Sequence, residues 1–262
     1  MKVPIYSMKG KASKSSATLP DAFSEPVRLD LIRRAVRASR ANRRQAYGAS
    51  KDAGYRHSVS WPGKGRGMAR TPRKNGGGGR GAEAPNTVGG RRAHPPKVEK
   101  QWELKINSKE RKKAFRSALA ATSQESYVSA RGHVVPEKAT LPYIVDDKIE
   151  KLSKDHDGEA ITKRAVSLLN GLGLDEDVER SMSGKGIRAG KGKRRGRKYR
   201  TPRSLLIVLS ENNGSEKAFQ NLSGVDVTTA KDLNTELLAP GGDPGRLVVF
   251  SKSAVSALEG RL

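Results

Sequence analysis

Arginines 66, 70, 73 and 80 and lysines 64 and 74 fall in one stretch, GKGRGMARTPRKNGGGGRG, at residues 63–81. It holds no acid, and its apolar side chains are Met68, Ala69 and Pro72. No core can be packed from these residues. Their chemistry is phosphate binding: guanidinium offers a planar fork of donors, and glycine lets backbone come close to an anion. The pattern extends over residues 53–98, where Arg56, Arg91, Arg92 and Lys97 complete a set of ten Lys and Arg against the single acid Glu83. Tyr55, His57, Trp61 and His94 are interleaved with them. Aromatic and guanidinium planes stack on unpaired bases. The bland reading is a solvated tail. The excess of arginine over lysine and the interleaved rings favour an arm ordered by RNA, held by phosphate neutralisation and weakened steeply by salt.

A second run, KGIRAGKGKRRGRKYRTPR at residues 185–203, has ten Lys or Arg in nineteen positions and no acid. Its candidate RNA contacts are Arg188, Lys191, Lys193, Arg194, Arg195, Arg197, Lys198 and Arg200. Arg43 and Arg44 join them from the N-terminal helix.

Other chemistries fit poorly. Gly76, Gly78 and Gly81 match G-x-G-x-x-G, but no strand precedes them and no amphipathic helix follows. GIRAGKGK at residues 186–193 has the wrong glycine spacing for a phosphate loop, and Gly192 sits where Ser or Thr must bind magnesium. His57, His94, His133 and His156 lack the i, i+4 spacing of a metal site. Asp146 and Asp147 follow an apolar run, a place where α/β enzymes put chemistry, but a turn and cap before KIEKL is the simpler reading. No nucleophile–base pair stands out, so the chain reads as a non-enzyme without cofactor or metal.

The elements that must carry these arms are visible around them. The chain has 262 residues, a formal net charge of +25, no cysteine, and 34% hydrophobic residues against a usual roughly 45–50%. A polyanionic partner relieves such charge. The longest apolar runs, such as LLIVL at 205–209, are too short to span a bilayer, and the N-terminus has no secretory h-region. A soluble intracellular protein is expected. VPIY at 3–6 predicts a strand. Ser24 as cap, Pro26 in the first turn and the stripe Val27, Leu31, Ile32, Ala35, Val36 and Ser39 predict a helix that stops near Gly48. Ser108 opens another, with Phe115, Ala118 and Leu119 on its apolar face. LPYIV at 141–145 predicts a strand, and residues 158–173 a helix with Gly171 or Gly173 as stop. The C-terminal part then alternates: strand SLLIVLS, helix SEKAFQNL, strand VDV, a helix from Thr228 or Thr229 through Leu238, strand RLVVFS, and helix KSAVSALEGRL. Alternation of this kind predicts βαβ units.

The expected fold is therefore α/β: one globular domain with a mainly parallel sheet flanked by helices, plus a long extended basic loop. Residues 1–52 and 99–262 would form the domain, with a basic insertion at about 183–204, and residues 53–98 the loop. As a hairpin, that loop reaches at most roughly 75 Å.

The motifs also carry a resemblance. SVSWPGKGRGMARTPRKNGGGGRG, GGRRAHPPK, INSKERKKAFRSALAAT, RAGKGKRRGR, EKAFQNLSGV and LAPGGDPGRLVVFSKSA occur in this order over nearly the whole chain. Together they resemble the universal large-subunit ribosomal protein L-four family, in its archaeal and eukaryotic branch. The chain ends at Leu262 without a long basic extension, which is similar to an archaeal member. GAEAPNTV at 81–88 follows the pattern loosely. The resemblance implies a structural constituent of the large ribosomal subunit, cytoplasmic and ribosome-bound. It would bind large-subunit ribosomal RNA and neighbouring large-subunit proteins and support assembly. It implies a loop that helps line the constriction of the polypeptide exit tunnel, facing the nascent chain. Matched to that tip are Trp61, Lys64, Arg66, Met68 and Arg70, with Arg73, Arg80, Arg91 and Arg92 along the arms. It implies no catalytic residue, no cofactor, no metal and no membrane. Two other classes fit the arms alone: a regulator acting on messenger RNA outside the ribosome, and a nucleic-acid-modifying enzyme, for which no cofactor loop or polar catalytic cluster is visible.

Overall fold

The computed structural model describes residues 1–136, 139–152 and 160–261. His156 and the first residues of the helix expected from residue 158 lie outside them. In chain order the elements are β1 (Lys2–Tyr6), β2 (Ala12–Thr18), α1 (Leu29–Asn42), β3 (Val59–Ser60), β4 (Arg73–Lys74), α2 (Ser108–Thr122), α3 (Glu125–Ala130), β5 (Tyr143–Val145), α4 (Ile161–Leu172), α5 (Asp175–Ser183), β6 (Gly186–Ile187), β7 (Tyr199–Arg200), β8 (Leu206–Leu209), α6 (Glu216–Gln220), β9 (Asp226–Thr229), α7 (Thr235–Leu238), β10 (Val248–Ser251) and α8 (Lys252–Glu259). They group into two compact units, one of Met1–Arg40 with Leu104–Leu262, the other of Ala41–Glu103.

The first unit is built on a six-stranded sheet in the order β2-β1-β5-β10-β8-β9. Only the β1–β2 pair is antiparallel; β1–β5, β5–β10, β10–β8 and β8–β9 are parallel. Register aligns Ile5, Ile144, Phe250 and Val208 across four strands. Successive side chains point to opposite faces of a strand, so this row buries with Ile32 and Val36 of α1, Leu119 of α2 and Val255 of α8. Tyr143, Val249 and Ile207 face the other way and pack with Leu168 and Leu169 of α4 and Phe219 of α6. Both faces are covered, which is why LLIVL is one continuous apolar run without alternation.

Several element boundaries differ from expectation, and tertiary contact is the reason. Ser24 ends a 3₁₀ turn (Asp21–Ser24) instead of capping a helix, because Phe23 is held edge-on against Phe250 with ring centroids 5.8 Å apart. α1 starts only at Leu29, where the Arg28 N–H donates to Ser117 Oγ of α2 at 2.7 Å. It ends at Asn42, short of Gly48. Thr228 and Thr229 do not open a helix. They pair with Val208 and Leu209 as the end of β9, and the helix shrinks to α7, capped by Asn234 Oδ1 accepting from the Leu237 N–H at 2.9 Å. β2, α3 and α5 are not anticipated; β2 is an exposed, polar edge strand with no apolar alternation to betray it.

Polar chemistry holds the sheet ends. Asp146 accepts from the Asp147 N–H at 2.8 Å and caps the turn after β5, while Asp147 Oδ1 accepts from the Ser253 N–H at 2.7 Å. Glu150 is buried and accepts from Ser251 Oγ and the Ser210 N–H, both at 2.6 Å, so one carboxyl ties the ends of β10 and β8 together. Arg246 is fully buried. Its guanidinium donates to the carbonyls of Ser204, Leu205 and Leu237 at 3.0–3.1 Å and to Asp226 Oδ2 at 2.6 Å. Burial pushes its pKa down to about 10, opposed by Asp226, so it stays charged at neutral pH.

Asp177, in the first turn of α5, is buried against His133. His133 Nδ1 lies 3.1 Å from both Asp177 oxygens, and Ser204 Oγ, Arg180 Nε and the Val134 N–H also donate to that carboxylate, at 2.6, 3.0 and 3.1 Å. Burial pushes Asp177 up, but the donors outweigh it and hold it below the usual carboxylate range. For His133 burial dominates, with Arg180 and Arg131 adding to it, so its pKa is lowered despite Asp177. Its Nε2 is buried without a partner among the described residues. The neutral ring donating from Nδ1 satisfies this geometry; a second N–H would find no acceptor.

Arg246→Ala should cost about 3 kcal/mol, because buried carbonyls lose their donor and Asp226 keeps only Arg203; urea denaturation measures it. His133 sets a pH dependence. The unfolded chain protonates it near ~6.5, the folded chain only at lower pH, so stability falls as pH drops below ~6.5. His133→Gln should flatten the urea midpoint between pH 7 and 5 relative to the parent chain.

Candidate nucleic-acid interface

The second unit, Ala41–Glu103, carries the first basic run. Its regular structure is the short antiparallel pair β3–β4, with Val59 opposite Lys74 and Ser60 opposite Arg73. Two strands of chain run close together toward it. The Ala49 N–H donates to the Pro96 carbonyl at 3.1 Å, and a Cβ built on Gly54 would lie 2.5 Å from the Arg91 Cα. Gly54 also has φ +86°, so glycine is required there twice over: for its backbone and for the approach of the opposite arm. Gly48 serves the same approach beside Val98, which is its role in place of a helix stop.

Beyond the β3–β4 pair the chain offers side chains and little packing. Trp61, Lys64, Arg66, Met68 and Arg70 are all exposed, Trp61 by 68% and Met68 by 48%. Trp61 and Met68 are large apolar side chains left in water among cations. Gly63, Gly65 and Gly67 between them have positive φ with open space around each. Arg73 and Lys74 differ from the rest: both are half-buried, and Arg73 Nη1 donates to the Gly79 carbonyl, bracing the turn of glycines. Arg56, Arg80, Arg92 and Lys97 are exposed, and Arg91 is half-buried. Arg43 and Arg44 are exposed as well; Arg44 lies over the Trp102 ring, 3.8 Å from its centroid.

The second basic run is a formed hairpin of the first unit. β6 and β7 pair antiparallel, with Gly186 opposite Arg200 and Ile187 opposite Tyr199, around the 3₁₀ turn Gly190–Arg195. Arg188 braces it from inside, donating to the carbonyls of Arg197 and Tyr199 at 3.1 and 3.3 Å. Lys191, Lys193, Arg194, Arg195, Arg197, Lys198 and Arg200 are exposed. Lys185 and Lys198 hold their ammonium groups 5.1 and 5.4 Å from the Tyr199 ring centroid, a cation–π arrangement on an exposed ring.

This hairpin lines a groove of about 880 Å³ within the first unit. Arg188 and Arg200 face it together with Arg131, Arg180 and Arg203, and with Arg33 and Arg40 of α1. Some of this charge is balanced: Arg33 pairs with Asp243 at 3.2 Å, Arg40 with Glu236 at 3.2 Å, and Arg203 with Asp226 at 2.6 Å. Arg180 is held by Asp177 at 3.0 Å. Burial lowers the pKa of Arg131, and Arg180 lowers it further, against the pull of Asp243. A cation disfavoured by burial and by a neighbouring cation gains from an anion.

Arg131 and Arg180 escape sequence reading because they stand singly, outside any basic run. Tyr47 and Trp102 escape it too. They flank the glycine-rich stretch, in RRQAYG and QWELK, and stack across the unit with ring centroids 5.7 Å apart and planes 17° apart. An aromatic residue beside cations at each end of the run was the available signal.

Among the described residues no helix is long and apolar enough to cross a membrane. The sequence model of the ribosomal protein L4/L1 family matches residues 17–261. The chain is 46% identical over 261 residues to large ribosomal subunit protein uL4 of Halobacterium salinarum, covering 100% of both proteins. It is 46% identical over 266 residues to the uL4 protein of Methanopyrus kandleri, covering 100% of this chain and 99% of the relative. With the uL4 protein of Methanococcoides burtonii it shares 49% identity over 248 residues, 95% of this chain and 94% of the relative. With its parallel α/β sheet, its basic hairpin and its glycine-rich arms matched end to end, the chain belongs to the ribosomal protein L4/L1 family.

Proposed function

We propose that this chain is a structural constituent of the large ribosomal subunit in the cytoplasm, held there by ribosomal RNA and by neighbouring ribosomal proteins. One observation carries the reading: full-length likeness to proteins named for that subunit, over the very segments that are basic and exposed. The physics agrees. Two basic surfaces, the arms of residues 53–98 and the β6–β7 hairpin with its arginine groove, present guanidinium groups that the fold itself leaves largely in water. Phosphate neutralisation by such groups gives affinity without base specificity. The arms gain partners when they meet RNA, so their ordering cost is met at that moment and binding contributes to assembly.

The finer reading places the loop end at the exit tunnel, with Trp61, Lys64, Arg66, Met68 and Arg70 toward the nascent polypeptide. Its support is the exposure of these five side chains and the resemblance of the SVSWPGKGRGMARTPRK motif.

A tagged copy sedimented from cell extract in roughly 0.5 M salt should travel with the large subunit at one copy per particle, because woven arms survive ionic strength that strips superficial contacts. Migration at the top of the gradient would sink the ribosomal reading and turn attention to messenger RNA. Replacing both Arg66 and Arg70 with Glu should slow peptide elongation on purified ribosomes while subunit assembly persists. Failed assembly would instead make the pair RNA anchors.

A further inference from the structure

We propose that the second unit holds a pocket for one unpaired nucleotide of an RNA strand, with the base against Tyr47 and the phosphates on Arg92, Lys97 and Lys100. The proposal rests on the RNA-binding reading above and names a site within it.

The pocket is a cleft of about 770 Å³ lined by Tyr47, Arg92, His94, Lys97, Lys100 and Trp102, with Pro95 and Pro96 in the wall between. That volume lies within the roughly 300–1,000 Å³ of small-ligand sites. Its back wall is fixed before any ligand arrives. Tyr47 and Trp102 stack nearly parallel, the Arg44 guanidinium lies 3.8 Å from the Trp102 ring centroid, and Lys100 Nζ lies 4.4 Å from it. Trp102 is thereby held by three neighbours and acts as a support. Tyr47 is 52% exposed, so the stack on Trp102 leaves the residue open to the cleft. A planar support already in place lowers the ordering cost of stacking. The proline pair adds to this, since its backbone has little freedom to lose.

Charge selects the class of ligand. Three cations line the cleft and Glu99 is the only acid among its lining residues. An aromatic plane beside cations suits a nucleotide, which is a planar ring joined to phosphate.

The test uses the full-length chain with Trp61→Phe, which leaves Trp102 as the sole tryptophan of the two. Octa-adenylate and inorganic polyphosphate are titrated in parallel. Octa-adenylate should quench the Trp102 fluorescence saturably, whereas polyphosphate should bind without quenching. Tyr47→Ala should weaken octa-adenylate binding about tenfold and leave polyphosphate binding unchanged, and Tyr47→Phe should restore it if the ring plane is what matters. Equal quenching by polyphosphate, equal weakening of both ligands by Tyr47→Ala, or no octa-adenylate binding at all would overturn the pocket. The ribosomal reading is decided separately by sedimentation, so the two fail independently.

Discussion

Electrostatic self-repulsion governs this molecule. A net charge of +25 on 262 residues cannot be folded into one compact body without cost. The chain meets it by segregation. Acids are concentrated where the sheet is built: Asp177, Asp226, Glu236 and Asp243 each pair with an arginine of the first unit. The glycine-rich run of residues 53–98 has Glu83 alone. Outside its acid-free run at 185–203 the first unit comes closer to balance and packs a core, while the two basic runs keep their charge at the surface. The excess is not a defect of folding. It is an attraction that a polyanionic surface would complete.

Within the first unit the same logic acts at closer range. Arg246 is buried and saturated, so its charge serves the fold. Arg131 and Arg180 sit at the groove, where Arg131 donates to the Asp243 and Pro240 carbonyls and Arg180 to Asp177, so they brace the groove wall as well as face it. Asp177 is the junction between these regimes, because it accepts from His133 and Ser204 on the inside and from Arg180 at the groove. Removing one donor therefore affects both packing and surface field.

Most of the sheet was legible in the sequence because parallel strands buried on both faces must be apolar throughout. LLIVL and RLVVF declare themselves without knowledge of their neighbours. β2 did not, since ASKSSAT is held by backbone pairing to β1 while its side chains face water. The start of α1 was hidden for another reason: Ser117, far along the chain, supplies the partner for the Arg28 N–H. Of the interface, the clustered cations were plain. Arg131, Arg180, Tyr47 and Trp102 were not, because each acquires its meaning from residues distant in sequence. Arg246 opens the run RLVVFS, and nothing in its neighbours announces the three carbonyls and the carboxylate that it meets.

The side-by-side course of the arms at Gly48 with Val98 and Gly54 with Arg91 has an evolutionary corollary. An insertion whose ends stay adjacent makes no demand on its host as it grows. Lengthening it changes closure entropy only logarithmically, about 0.6 kcal/mol for each doubling. Reach can therefore change while the sheet keeps one design. The glycines at the base, and not the length of the arm, are then what the side-by-side course requires.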